Sequence, residues 1–232
     1  MIMGNRMPAI TIKKFPGLKE EQKCCAEVQD AIIRVLFSNN GLPDAVLHGG
    51  SQVWRCYDSR RFSCDVDIYS QVKDPQVTLI PVLERAGLKV ARFRDTGNVV
   101  FAKLTAISDG KEHSSGFEIR RAPVEGIIST YTNTDGSTID IVSISPTEIA
   151  LEKILAYKGR AEIRDIYDLY FIIKNVIGRE NVSQQLSGQL SNLLSKLQRP
   201  VDEGNLAKRV YSGRVPTFDE MAAELKVMAR QK

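Results

Sequence analysis

The periodicity of the chain changes at Ser145, and this limits it to folds in which a sheet precedes a set of helices. Before that point, LKVARF (88–93), NVVFAKLTAI (98–107), GFEIRRA (116–122) and STIDIVSI (137–144) read as strands between turn-forming residues. The polar segment SDGKEHSSG (108–116) predicts a hairpin loop between two of them. Ser145-Pro146-Thr147-Glu148 is a capping box with proline at the first helical position. Everything after it reads helical, in roughly four segments, with a second capping box at Thr217–Glu220. The expected fold class is α+β: a mixed β-sheet flanked by helices in residues 1–144, followed by a C-terminal helical domain in residues 145–232.

Within the first part, residues 18–38 carry Val28, Ile32, Val35 and Leu36 at helical spacing and stop at Asn39-Asn40-Gly41. Ala45–His48 and Asp65–Tyr69 read as strands, and residues 75–86 as a helix opened by Pro75 and closed by Gly87. Hydrophobic content of 43% and charged content of 26% are those of a globular chain. No apolar run is long enough to cross a bilayer, and residues 1–14 lack the apolar core of a signal peptide, so a soluble, cytoplasmic protein is expected. A net charge of +4 permits a polyanionic partner without demanding one. The four cysteines form no C-x-x-C pair and there are only two histidines, which argues against structural zinc. Free, packed thiols are expected instead, with Cys64 turned to the strand face opposite Asp65.

Two short motifs carry chemistry. In His48-Gly49-Gly50-Ser51, the glycines lack a Cβ and let phosphate oxygens approach backbone N–H groups. A helix starting at Ser51 would add its N-terminal dipole. In Arg61-Phe62-Ser63-Cys64-Asp65-Val66-Asp67, strand alternation sets Asp65 and Asp67 side by side, about 7 Å apart, where they can bracket a hard cation. Taken singly, the first also reads as a plain turn and the second as a solvated strand face. Their separation suits strand, turn, short helix and return strand, which would hold a triphosphate beside its metal.

HGGS followed by R-x-S-x-D-x-D resembles the first motif of the polymerase-β-like nucleotidyltransferase superfamily, and more narrowly the AbiEii/AbiGii toxins related to the mycobacterial MenT group. SPTEIALEK (145–153) and RDIYDLY (164–170) resemble that group's later motifs, so the likeness spans about residues 45–175. Ser51-Gln52 departs from the Ala or Thr that commonly follows the glycines. The resemblance implies a nucleotidyltransferase-type sheet and transfer of a nucleotide from a nucleoside triphosphate to an acceptor hydroxyl. Asp65 and Asp67 would hold Mg2+, and Glu118 is the candidate third acid, completing the metal site or taking the acceptor's proton, with Asp140 its competitor. Gly49, Gly50, Ser51, Arg61 and Ser63 would bind the nucleotide, the last two by contacting phosphate or by pinning the turn.

The resemblance further implies a triphosphate contact for Lys153, a residue that otherwise reads as a snorkelling lysine. Asp165 would lie near it on the next helix, across a turn near Gly159, to orient it or to assist the acceptor hydroxyl; Asp168 ranks lower, as an i,i+4 partner of Arg164. Tyr167, Tyr170 and Phe171 fit the core. Lys196, Arg199, Lys208, Arg209 and Arg214 read as a solvated helical surface or as a track for RNA. The relatives imply a toxin of a type IV-like toxin–antitoxin or abortive-infection system whose acceptor is RNA, at a tRNA 3′ end, and the sequence leaves open a cognate antitoxin protein as its partner. Transfer to a small-molecule or protein hydroxyl, and a non-catalytic nucleotide- or RNA-binding module, are the competing readings. The paired aspartates count against the second, because they repel without metal.

Overall fold

The computed structural model describes residues 15–108 and 110–230. The reading of residues 1–14 and the ends of both expected domains therefore lie outside the described residues. Seven strands form one mixed sheet in the order β3-β4-β5-β2-β1-β7-β6. They are β1 (Val46–His48), β2 (Asp65–Tyr69), β3 (Lys89–Asp95), β4 (Val99–Ser108), β5 (Lys111–Arg120), β6 (Ile127–Thr132) and β7 (Thr138–Ser143). Antiparallel pairing joins β3 to β4, β4 to β5, β1 to β2 and β6 to β7, whereas β2–β5 and β1–β7 are parallel.

Helix α1 (Glu20–Leu36) lies on one face of the sheet, where Val28, Ile32 and Leu36 join Val66, Ile68, Phe117 and Ile119 in one apolar core. Helix α2 (Gly49–Tyr57) follows β1 directly and is locked by a buried polar knot. Asp30 of α1 takes bonds there from Arg55, from the Tyr131 hydroxyl (3.1 Å) and from the Thr134 backbone N–H and hydroxyl (2.7 Å each). A buried carboxylate is tolerated only when satisfied in this way, so the knot fixes α2 relative to α1 and β6.

Helices α5 (Pro146–Arg160), α6 (Ile163–Ile172), α7 (Gln184–Ser195) and α8 (Phe218–Ala229) gather around a second core. That core takes in Val46, Val53, Tyr69 and Ile144 from the sheet half. Both capping boxes form: Ser145 and Thr217 each accept from the third helical N–H, and Glu148 and Glu220 reach back. No helix among the described residues is long and apolar enough to cross a membrane.

Three local expectations are corrected, and β6 matches none of the expected strands. The helix over 75–86 is two pieces, α3 (Pro75–Thr78) and α4 (Ile80–Arg85), because Pro81 lacks an N–H and disfavours helical geometry just before it. Most of the polar segment 108–116 is strand, since β5 starts at Lys111 and pairs residue by residue with β4. The α5–α6 turn falls at Ala161, in the left-handed region (φ 50°), rather than near Gly159. The sequence of β6 lacks apolar alternation, because its buried positions include Ser129 and Thr132 while Ile127 and Ile128 are both exposed.

Candidate active site

Helix α2 begins at Gly49 itself, two residues earlier than expected. Gly49 has φ 76°, and a Cβ there would strike the Asp67 carboxylate, so this position needs glycine on both counts. A Cβ at Gly50 would strike Ser63 Oγ and the Arg61 guanidinium. The turn thus presses backbone against the carboxylate strand, with the N–H groups of the first helical turn lacking intrahelical acceptors.

The sheet register assembles the acids. Asp67 pairs with Glu118 and Asp65 with Gly116, so Asp65, Asp67 and Glu118 share one face of adjacent central strands. All three line a cavity of about 520 Å3 with Gly49, Gly50 and Lys153. Burial raises the Asp67 carboxyl above its ordinary value, and the Asp65 charge adds to it, against a smaller opposing pull from His48. Burial raises Glu118 likewise, reinforced by the charge on Asp67. Asp140 is elsewhere: it is exposed on β7 and accepts a hydrogen bond from Thr130 (3.2 Å).

Lys153 comes from α5 and is buried. Its Nζ lies 2.8 Å from Asp168 Oδ2 and 3.9 Å from Asp165 Oδ1, which reverses the expected ranking of the two aspartates. Asp165 is held instead by Arg160, through two bonds of 2.7 Å. Asp168 is not the partner of Arg164, which pairs with Glu162 at 2.5 Å. Its main partner is Arg61, which donates Nε to Oδ1 (2.6 Å) and Nη2 to Oδ2 (2.7 Å). Although burial favours the neutral acid, these two cations hold Asp168 below its ordinary value.

Arg61 lines the cavity with its guanidinium engaged by Asp168, whereas Ser51 does not line it. Arg61 is buried, and its guanidinium bridges β2's approach to α6 while abutting Gly50. The Ser51 hydroxyl donates to the Asp65 carbonyl and lies outside the cavity lining, so it staples the helix start to β2. Ser63 does line the cavity. Cys64 is exposed, contrary to expectation, because it precedes the first residue of β2 and strand alternation does not reach it. All four cysteines are free.

Sequence reasoning did not assign His48, Tyr69 and Glu152. His48 Nδ1 lies 3.2 Å from Glu152 Oε2, the Tyr69 hydroxyl donates to Glu152 Oε1 (2.5 Å), and the two rings stack with centroids 4.1 Å apart. Glu152 is drawn below its ordinary value despite burial, which works the other way, mainly by its bond with His48. The only sequence signal was adjacency: His48 precedes the glycines and Glu152 precedes Lys153. Arg120, Arg160 and Arg164 also line the cavity.

A glycine turn at a helix start, facing carboxylates on the neighbouring strand and a buried lysine from the following helices, is the site plan of a nucleotidyltransferase. Residues 34–208 match the family described as nucleotidyl transferase AbiEii toxin of type IV toxin–antitoxin systems. The chain belongs to this family and is a nucleotidyltransferase. Two solved structures from Helicobacter pylori share its fold. One, JHP933, is 22% identical with a TM-score of 0.66, and the match covers 91% of each chain. The other, a candidate nucleotidyltransferase, is 23% identical with a TM-score of 0.68, covering 91% of this chain and 94% of that one. A search of curated proteins gave no match.

Proposed function

We propose that the protein transfers a nucleotide from a nucleoside triphosphate to a hydroxyl of RNA, at a tRNA 3′ end, acting in the cytoplasm as a toxin that an antitoxin protein restrains. The observation that carries this reading is the register that sets Asp65, Asp67 and Glu118 on one sheet face, across a single cavity from the Gly49-Gly50 turn and Lys153. In this reading the sheet domain (residues 1–144) brings the carboxylates and the helical domain (145–232) lends the lysine.

The residues suit Mg2+. Asp65 and Asp67 offer hard oxygen donors in the cavity that the Gly49-Gly50 turn also lines, and Asp67 abuts Gly49 directly. Among the described residues no group of three or more His, Cys, Asp or Glu forms a ready-made metal cluster. Mg2+ characteristically takes one or two carboxylates and completes its shell with water and substrate phosphates, so two aspartates suffice. Bound there, Mg2+ would offset phosphate charge at the reacting phosphorus.

The chain's own residues supply the rest. The Gly49-Gly50 turn and the start of α2 cradle phosphate oxygens. Lys153, steadied by Asp168, places an ammonium beside the triphosphate. Glu118, whose carboxyl is raised above its ordinary value mainly by burial, is suited to accept the proton of the attacking hydroxyl. Incubating the protein with total RNA, Mg2+ and each labelled nucleoside triphosphate in turn tests this. Label on one defined RNA species is expected. Label on a small molecule or on protein would replace the acceptor, and the absence of any transfer would remove the enzymatic reading.

A further inference from the structure

Two of the basic residues expected to track RNA, Arg199 and Arg214, are engaged elsewhere. Arg199 bonds Glu203 and Asp219 (2.6 Å each), and Arg214 bonds Glu220. A different set lies on the sheet. Directly opposed residues of paired strands share a face, so the face of Asp67 and Glu118 can be followed outward. Glu118 opposes Phe101 on β4, Phe101 opposes Arg94 on β3, and Lys103 opposes Arg92. The alternate positions Val100, Leu104 and Ile119 are buried on the other face.

Arg92, Arg94 and Lys103 are exposed, and Phe101 is 42% exposed, a large apolar ring left in water. Among the described residues none of the three cations pairs with a carboxylate, in contrast to Arg120 and Arg121 further along the sheet. Charge on an edge strand often serves only to block unwanted pairing, which would account for Arg92 and Arg94 on β3. It does not account for Lys103 and Phe101 on β4, an interior strand. Unpaired cations around an exposed aromatic ring match what a single-stranded nucleic acid requires: backbone neutralisation and a stacking surface.

We infer that Arg92, Arg94, Phe101 and Lys103 form the docking platform for the single-stranded end of the acceptor RNA. This rests on the RNA-acceptor reading above and locates the acceptor within it. From β3 to β2 is three inter-strand steps, about 14 Å. A strand whose phosphates lie over β3 and β4, with one base on Phe101, therefore leads its terminal hydroxyl past Glu118 to Asp65 and Asp67.

The test uses the full chain and a fluorescent single-stranded oligoribonucleotide of mixed sequence, with binding followed by anisotropy across a range of salt. Replacing all three cations (Arg92→Gln, Arg94→Gln, Lys103→Gln) should weaken binding at least 10-fold and lower the slope of log affinity against log salt by about 2, at about 0.7 for each phosphate no longer neutralised. Phe101→Ala should weaken binding about 10-fold with little change of slope, since stacking is not a counterion effect. Stabilisation by Mg2+ with nucleoside triphosphate should be unchanged in both variants, showing that the site itself is intact. Wild-type affinity and slope in the triple variant would overturn the platform while leaving the RNA reading standing, and would point to an acidic protein as the occupant of this face. A wild-type protein that binds no RNA, yet transfers nucleotide to another acceptor, would overturn both.

Discussion

Arg61 and Asp168 meet through two parallel hydrogen bonds of 2.6 and 2.7 Å, with both side chains buried and 107 residues apart in sequence. The pair joins the loop before the carboxylate strand to the helix behind Lys153, so it fixes how the two halves of the site face each other. Removing Asp168 leaves two buried cations uncompensated, and removing Arg61 leaves Asp168 with Lys153 alone and without its two-pronged partner. Arg61→Met or Asp168→Asn should cost roughly 3–5 kcal/mol in urea unfolding. Arg61→Lys should also destabilise clearly, because a lysine cannot reproduce the two-pronged geometry. A loss within experimental error for all three variants would show that the pair does not hold the halves together.

The same pair sets an acid limit. Asp168 is held below its ordinary value, so its stabilising contribution is complete above the unfolded-state value of about 3.9 and is lost as pH falls through the lower folded-state value. Wild-type stability should therefore fall in the window below about pH 4. The deficit of Asp168→Asn should be constant near neutrality and narrow inside that window. Melting curves across the acid range of both proteins check this, and a constant deficit throughout would contradict it.

Much of this site was legible in the sequence. The glycine turn, Asp65 and Asp67 are local features set by strand alternation, the family resemblance added Glu118 and Lys153, and all of them line one cavity. What was not legible depended on long-range partners. Nothing near Asp168 in sequence points to Arg61, and the i,i+4 rule favoured Arg164. Ser51 looked like a phosphate ligand because its hydroxyl's real acceptor, the Asp65 carbonyl, is defined only by the fold. Strand β6 escaped because its inward side chains include polar ones. The cationic sheet face was hidden because it is spread over two strands, each with an ordinary count of charges.

Metal should invert the stability effect of the paired carboxylates. Burial raises Asp67 and the Asp65 charge adds to it, so the metal-free protein carries a cost in keeping Asp67 ionised. Asp67→Asn should melt at the same temperature as the metal-free wild type or higher, fail to gain stability from Mg2+ with nucleotide, and show no transfer. Chelation should reduce wild-type transfer to the same background. Substantial transfer by Asp67→Asn, or by the chelated wild type, would sink the metal assignment.

Glu152 offers a way to test whether His48 matters through its orientation. Glu152 takes the Tyr69 hydroxyl on one oxygen and faces His48 Nδ1 with the other, leaving His48 Nε2 buried without a hydrogen-bond partner among the described residues. Glu152→Gln keeps the shape but weakens the charge-assisted bond by about half. If orientation of the ring is what counts, turnover should fall several-fold while Mg2+–nucleotide binding holds, and Tyr69→Phe should have a smaller effect in the same direction. Unchanged turnover in Glu152→Gln would make the cluster purely structural.

Lys153 gives the sharpest test, since burial alone does not distinguish a packed stem from a working ammonium. If Lys153 offsets triphosphate charge mainly in the transition state, Lys153→Met should lower single-turnover transfer about 10²–10³-fold with little loss of nucleotide binding. A stem that merely packs would be preserved by methionine and the change would be nearly silent. Asp165→Asn separates the two aspartates. Lys153 lies 2.8 Å from Asp168 but 3.9 Å from Asp165, which Arg160 already holds twice. The double variant Lys153→Met/Asp165→Asn should therefore be only modestly less than additive, whereas Lys153→Met combined with Asp168→Asn should be strongly so, because an interaction between touching partners can be removed only once. Equal coupling to both aspartates would refute the preference for Asp168, and near-wild-type turnover in Lys153→Met would refute the catalytic role itself.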